Sequence, residues 1–179
     1  LKILVLGIGN VMFGDEGAGV HFVNAIQNNF RFSHPSDEIS FVDGGTLAIA
    51  LSPIISSANK LIVIDCISAD DGKAGDIYFF DYNSIPHNLS WNGSAHEVEM
   101  LETLQLIELS GDLPPTQILA VIPTRIEPMS FTLSSEICNA YPILERTLLS
   151  YLSELGFSYE KIGDFSLQDM ADIFSKGNL

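Results

Sequence analysis

The segment KLIVID, residues 60–65, has four consecutive apolar residues and closes on an acid. So short a run without polar alternation is the signature of a strand buried on both faces. ILVLG (3–7) has the same character, and ISFVD (39–43), IYFF (77–80) and PPTQILAVIP (114–123) supply three more strands. Between them lie stretches of helical spacing: Val20, Val23 and Ile26, then Val98, Leu101, Leu104 and Ile107, then a long helix over 133–156. A shorter helix fits 47–56, and RFSHPSD (31–37) reads as a linker. Buried strands alternating with amphipathic helices predict a three-layer α/β domain, with a mainly parallel five-stranded sheet between helices. In a chain of 179 residues this is one domain, 1–157, followed by a tail, 158–179, with room for one short helix at SLQDMADIF.

Directly after the first strand comes GNVMFGDEGAGV (9–20), a glycine-rich loop of the kind that cradles phosphate, yet tipped by Asp15 and Glu16. A dinucleotide fingerprint needs Gly-x-Gly-x-x-Gly; Gly7 and Gly9 fit its first two places, but Met12 stands in the third. The two acids at the helix entrance would repel a pyrophosphate, and no Gly-Lys-Ser/Thr follows for a Walker loop. Asp43 mimics a ribose-binding acid, which leaves a nucleotide-binding module as an alternative.

In open α/β sheets ligands sit beyond the carboxyl ends of the strands. Glu16 follows strand one, Asp43 ends strand two, Asp65 ends strand three, and His96 opens the helix after strand four. Ser94 and Glu97 form a capping box around His96, which places the imidazole in a first turn, where the neutral, ligating form is favoured. Two carboxylates and an imidazole suit a borderline divalent cation, zinc or nickel. Each residue also has a plainer reading: Asp15 as the cap of helix one, Gly17 and Gly19 as close-packing residues, Asp65 as an acid satisfied by loop amides, His96 as a solvated side chain. His21, His34 and His87 receive no role, and Trp91 reads as a loop anchor.

Charge narrows the partners. Eight basic against 23 acidic residues give a net charge of −15, which excludes nucleic acid and anionic membrane as natural ligands. No apolar run reaches membrane-spanning length and the first strand begins at residue 2, so we expect a cytoplasmic, soluble monomer without a leader. Cys66 and Cys138, far apart in apolar surroundings, read as free thiols.

ILVLGIGNVMFGDEGAGV, FVDGGT, LIVIDCIS, SAHE and VIPTRIEP, in this order and spacing, resemble the nickel-iron hydrogenase maturation endopeptidases over roughly residues 2–157. The resemblance implies a twisted five-stranded sheet between helices. It implies an enzyme that removes a C-terminal extension from the hydrogenase large-subunit precursor once nickel is inserted. It carries the metal ligands onto Glu16, Asp65 and His96 and puts Asp43 near the site. The nickel would be the substrate's own, with zinc or another divalent cation able to occupy the site, and the loop glycines would let backbone and substrate approach closely. Position 66 departs from the pattern: Cys stands where a small residue such as Ala is expected.

No serine or cysteine triad can be assembled. Cys66 beside Asp65 would have a raised pKa and be a poor nucleophile. We expect an aspartyl-type or metal-assisted endopeptidase in which Asp43 or Asp15 activates water against a metal-polarised carbonyl. A non-enzymatic nucleotide- or metal-binding module is the alternative; a zinc aminopeptidase is weaker, since no HExxH is present.

Overall fold

Six of the seven residues of β1 (Lys2–Ile8) are buried, because the sheet around it is covered on both faces. The computed structural model describes residues 1–46, 48–90, 95–124 and 126–177, and at 48, 90 and 95–98 the backbone alone. After β1 come a 3-10 turn (Asp15–Gly17), α1 (Ala18–Asn29), β2 (Phe30–Ser33), β3 (Glu38–Gly45) and α2 (Ser52–Ser57). β4 (Lys60–Cys66), β5 (Ser68–Ala69), β6 (Ile77–Asp81), β7 (Leu89–Ser90) and α3 (Ala95–Ser110) follow. The chain continues through β8 (Thr116–Val121), α4 (Ser135–Glu154), β9 (Ser158–Lys161) and α5 (Leu167–Ser175).

The five-stranded sheet runs in the order β3-β1-β4-β8-β6. β1 pairs in parallel with β3 and β4, and β4 with β8, while β6 lies antiparallel on the β8 edge. This is the mainly parallel sheet the apolar runs predict. Alternate residues feed two cores. Ile3, Val5, Ile62 and Ile64 face α1, α4 and α5; Leu4, Leu6, Leu61 and Val63 face α2 and α3.

Three local readings need correction. The segment 31–37 is more than a linker: Phe30–Ser33 pairs antiparallel with Ser158–Lys161 as a separate two-stranded ribbon. Phe30 and Phe32 gather around Tyr159, and Phe32 also meets Phe41. The helix expected over 47–56 is a 3-10 turn (Ala48–Leu51) leading into α2, which starts with a proline in its first turn; Leu47 lies outside the described residues. On α3 the buried stripe is Met100, Thr103, Leu104 and Ile107, with Leu101 only partly covered. The Val98 side chain lies outside the described residues.

Residues 157–177 wrap back onto α1. α5 opens with a capping box between Ser166 and Asp169 and gives Leu167, Met170 and Ala171 to the core that holds Phe22 and Ile26 of α1. Asn29 at the end of α1 fastens the approach: its amide donates to the Phe165 carbonyl at 2.8 Å and its side-chain oxygen accepts from Phe165 N at 2.7 Å.

Candidate active site

The loop that follows β1 is shaped by its own backbone. Gly9 has φ +144°, and a Cβ there would stand 1.9 Å from the Glu16 carbonyl oxygen. A Cβ on Gly19 would stand 2.4 Å from the carbonyl oxygens of both Ile8 and Ile64. The room these glycines provide is therefore filled by the protein itself, not kept for a substrate. They press the start of α1 against the ends of β1 and β4.

That closeness carries Glu16 to the carboxyl edge of the sheet. Its 3-10 turn packs against β4, and the side chain is 4% exposed. Asp65, second from the end of β4, is 3% exposed, and its Oδ1 accepts from the Cys66 amide at 2.7 Å. Asp43 stands level with Gly7 in the β1–β3 register; it is exposed, and its Oδ1 accepts from Gly45 N at 2.9 Å. Three of the four acids singled out from the sequence thus reach one edge of the sheet by way of strand ends and a helix start.

Asp15 is placed otherwise than as a helix cap. Residue 14 occupies the cap of the first turn, without a side-chain bond. The Asp15 carboxylate, 1% exposed, turns toward the start of α4. It accepts from Ser134 N at 2.7 Å, Ser134 Oγ at 2.8 Å and Thr124 N at 2.9 Å. Ser134 in turn caps α4, its Oγ accepting from Ile137 N at 3.3 Å. Backbone bonds from Gly14 N to Ser130 O (2.8 Å) and from Ser130 N to Met12 O (3.0 Å) continue the same seam. On its other side, the Asp15 carbonyl accepts from Cys66 Sγ at 3.1 Å. One residue so joins the neighbour of Glu16, the neighbour of Asp65 and the segment leading into α4. Sequence reasoning missed Ser134, because nothing local marks a partner 119 positions away.

His96 is the second residue of α3. Its imidazole, the Ser94–Glu97 capping box, Trp91 and Arg125 lie outside what the structure describes. Among the described residues no group of three His, Cys, Asp or Glu side chains is arranged to hold a metal ion. Cys66 and Cys138 are free thiols. Burial, and secondarily the charge of Asp15, pushes the Cys138 thiol up, which makes it a weaker nucleophile.

One histidine that received no role from the sequence is placed tellingly by the fold. His21 of α1 is fully buried, with the edge of Phe174 from α5 at 5.3 Å between ring centroids. Neither of its nitrogens has a hydrogen bond among the described residues, and burial pulls its pKa down to about 4. A cavity of about 490 Å³ lies between Asp164 and Lys176, on the α5 side rather than at the strand ends. A smaller one of about 120 Å³ opens beside Asp15, Thr124 and Ser134.

The open α/β sheet gathers buried acids at its carboxyl edge, where ligands of this class of fold bind. The hydrogenase maturation protease family, HycI, matches residues 20–151. Protein HydD of Wolinella succinogenes is 43% identical over 159 residues, covering 88% of this chain and 99% of that protein. The hydrogenase 2 maturation protease of Escherichia coli is 28% identical over 149 residues, 83% of this chain and 89% of its own. Among solved structures, the hydrogenase maturating endopeptidase HybD from Escherichia coli superposes with a TM-score of 0.78 at 25% identity, over 90% of this chain and 98% of HybD. The chain belongs to the hydrogenase maturation protease family, and it is an enzyme that hydrolyses peptide bonds.

Proposed function

We propose that this protease removes the C-terminal extension of a nickel-iron hydrogenase large-subunit precursor, and that it reads the substrate's own nickel through Glu16, Asp65 and His96. The observation that carries the reading is that Glu16 and Asp65 come to the same edge of the sheet. Two acids, each almost wholly buried at one sheet edge, are held in register by the thiol–carbonyl bond between their neighbours. The imidazole of His96 at the start of α3 supplies a nitrogen donor, and this mixed oxygen and nitrogen set suits nickel, with zinc or another divalent cation as an occupant in its absence.

Asp43 is the stronger candidate for general base. It is exposed at the same edge and can take a proton from the water that attacks the scissile carbonyl. The nickel supplies Lewis acidity there. Asp15, already accepting from three donors, acts by position instead. We infer a monomer working in the cytoplasm, and the net charge of −15 sets it apart from nucleic acid and anionic membrane.

The test is intact-mass analysis of a large-subunit precursor incubated with the protein, with and without nickel loaded. Cleavage of only the loaded form is expected. Glu16→Gln and His96→Ala should each slow it at least ~100-fold, beyond the usual cost of losing a residue that merely supports a metal ligand. Equal cleavage of both forms would discard nickel reading and leave the peptidase. No cleavage of a cognate precursor by folded protein would sink the substrate assignment.

A further inference from the structure

The segment 157–177 reaches the site by two routes that its packing alone does not require. The first runs through Gln168 of α5. Its Oε1 accepts from Leu133 N at 2.9 Å, and its Nε2 donates to the Phe131 carbonyl at 3.3 Å. Both partners belong to the stretch that ends in Ser134, whose amide and hydroxyl hold the Asp15 carboxylate. The same Nε2 also donates to Asp172 Oδ1 at 2.8 Å, which fixes the amide's orientation and leaves Oε1 aimed at Leu133. The second route runs through Phe174. Its ring edge meets His21, and His21 Nε2 lies 3.0 Å from where a Cβ on Gly17 would stand. Gly17 is the residue after Glu16.

We propose that α5 is a positioning strap for the site, and that Gln168 is a positioning residue which sets Glu16 through the chain Leu133–Ser134–Asp15. Apolar packing of α5 is supplied by Leu167, Met170 and Ala171, with Ile173 beside them. A side-chain amide that gives both its ends to one strand-like stretch fixes that stretch along its length and resists sliding. The stretch it fixes is the one that meets the acidic loop.

The inference rests on Glu16 belonging to the site, and one of its two tests does not depend on that. In Gln168→Ala, amide hydrogen exchange is expected to speed up at Ser134 and Thr124, the two amides that donate to Asp15, as well as at Leu133. With nickel-loaded precursor as substrate, kcat is expected to fall about tenfold with KM nearly unchanged, the effect of misplacing a group by a fraction of an ångström. Gln168→Met, which keeps the length of the side chain but makes neither bond, should match Gln168→Ala in both readouts. Faster exchange confined to Leu133, with Ser134, Thr124 and kcat as in the parent, would overturn the proposal and reduce Gln168 to a local staple. If the parent itself cleaves no precursor, the proposed substrate fails, and exchange at Ser134 and Thr124 still decides whether the strap holds the loop.

Discussion

The two faces of the sheet are held in different ways. On the face of α1, α4 and α5, side chains tie distant stretches by polar bonds: Asp15 to Ser134 and Thr124, Asn29 to Phe165 and Tyr141, Gln168 to Leu133. On the face of α2 and α3, the core of Ile55, Leu61, Met100, Leu104 and Ile107 is almost purely apolar. There the described helical side chains offer one tie across elements, Tyr82 to Glu108 at 3.2 Å, and α3 leaves Leu106 and Leu109 exposed. Hydrophobic packing is non-directional, whereas a hydrogen-bonded carboxylate or amide fixes a distance and an angle. Glu16 comes from the tied side and His96 from the packed side. A site assembled from both halves has one fixed wall and one set only by fit.

This contrast can be broken most sharply at Asp15. Replacing it by Ala removes three bonds to a charged acceptor at once, and urea denaturation should show a loss of about 4 kcal/mol. A loss below ~1 kcal/mol would mean that the polar seam is ornament on an apolar core. Next is His21, the one polar group on that face with both nitrogens unbonded among the described residues. Its folded pKa of about 4 lies below the ordinary 6.5. The unfolded chain therefore binds the proton first as pH falls, and stability declines from about pH 6.5 down to about pH 4, flattening below. The loss attributable to this residue should reach about 3 kcal/mol at the acid limit. His21→Leu should remove that slope and leave stability above pH 7 little changed; an unaltered slope in urea midpoints across pH 4–7 would assign it to other groups. The smallest effect belongs to the packed face. Leu109, 84% exposed on α3, should accept Lys with a change within about 0.5 kcal/mol. A larger loss in thermal melts would show that α3 depends on contacts at that position.

The placement of most of the site could be read in advance. Glu16, Asp43 and Asp65 reach one edge because strand ends and helix starts converge there in any open parallel sheet, and apolar runs such as KLIVID mark those strands plainly. What could not be read was the pairing of remote residues. Ser134 looks like any helix cap until Asp15 arrives beside it. SYEK at 158–161 is exposed at every position, and FRFS at 30–33 alternates over only four residues, too few to mark a strand. The glycines misled for a different reason. Gly9 and Gly19 advertise that something comes close, and sequence has no means of saying whether that is a ligand or the chain's own carbonyls.

The β2–β9 ribbon has a consequence for synthesis. Phe30 pairs with Lys161, so about 130 residues must be added after β2 has formed before its partner exists. At translation speeds of 5–20 residues per second that wait is on the order of ten seconds. For that interval β2 is an edge with nothing beside it, Asn29 lacks Phe165, and the loop of Glu16 lacks the support of α5. On the proposed role of α5, catalytic competence arrives late in the life of the nascent chain. A newly made protease is least able to cut while it is still crowded against the ribosome among other unfinished chains.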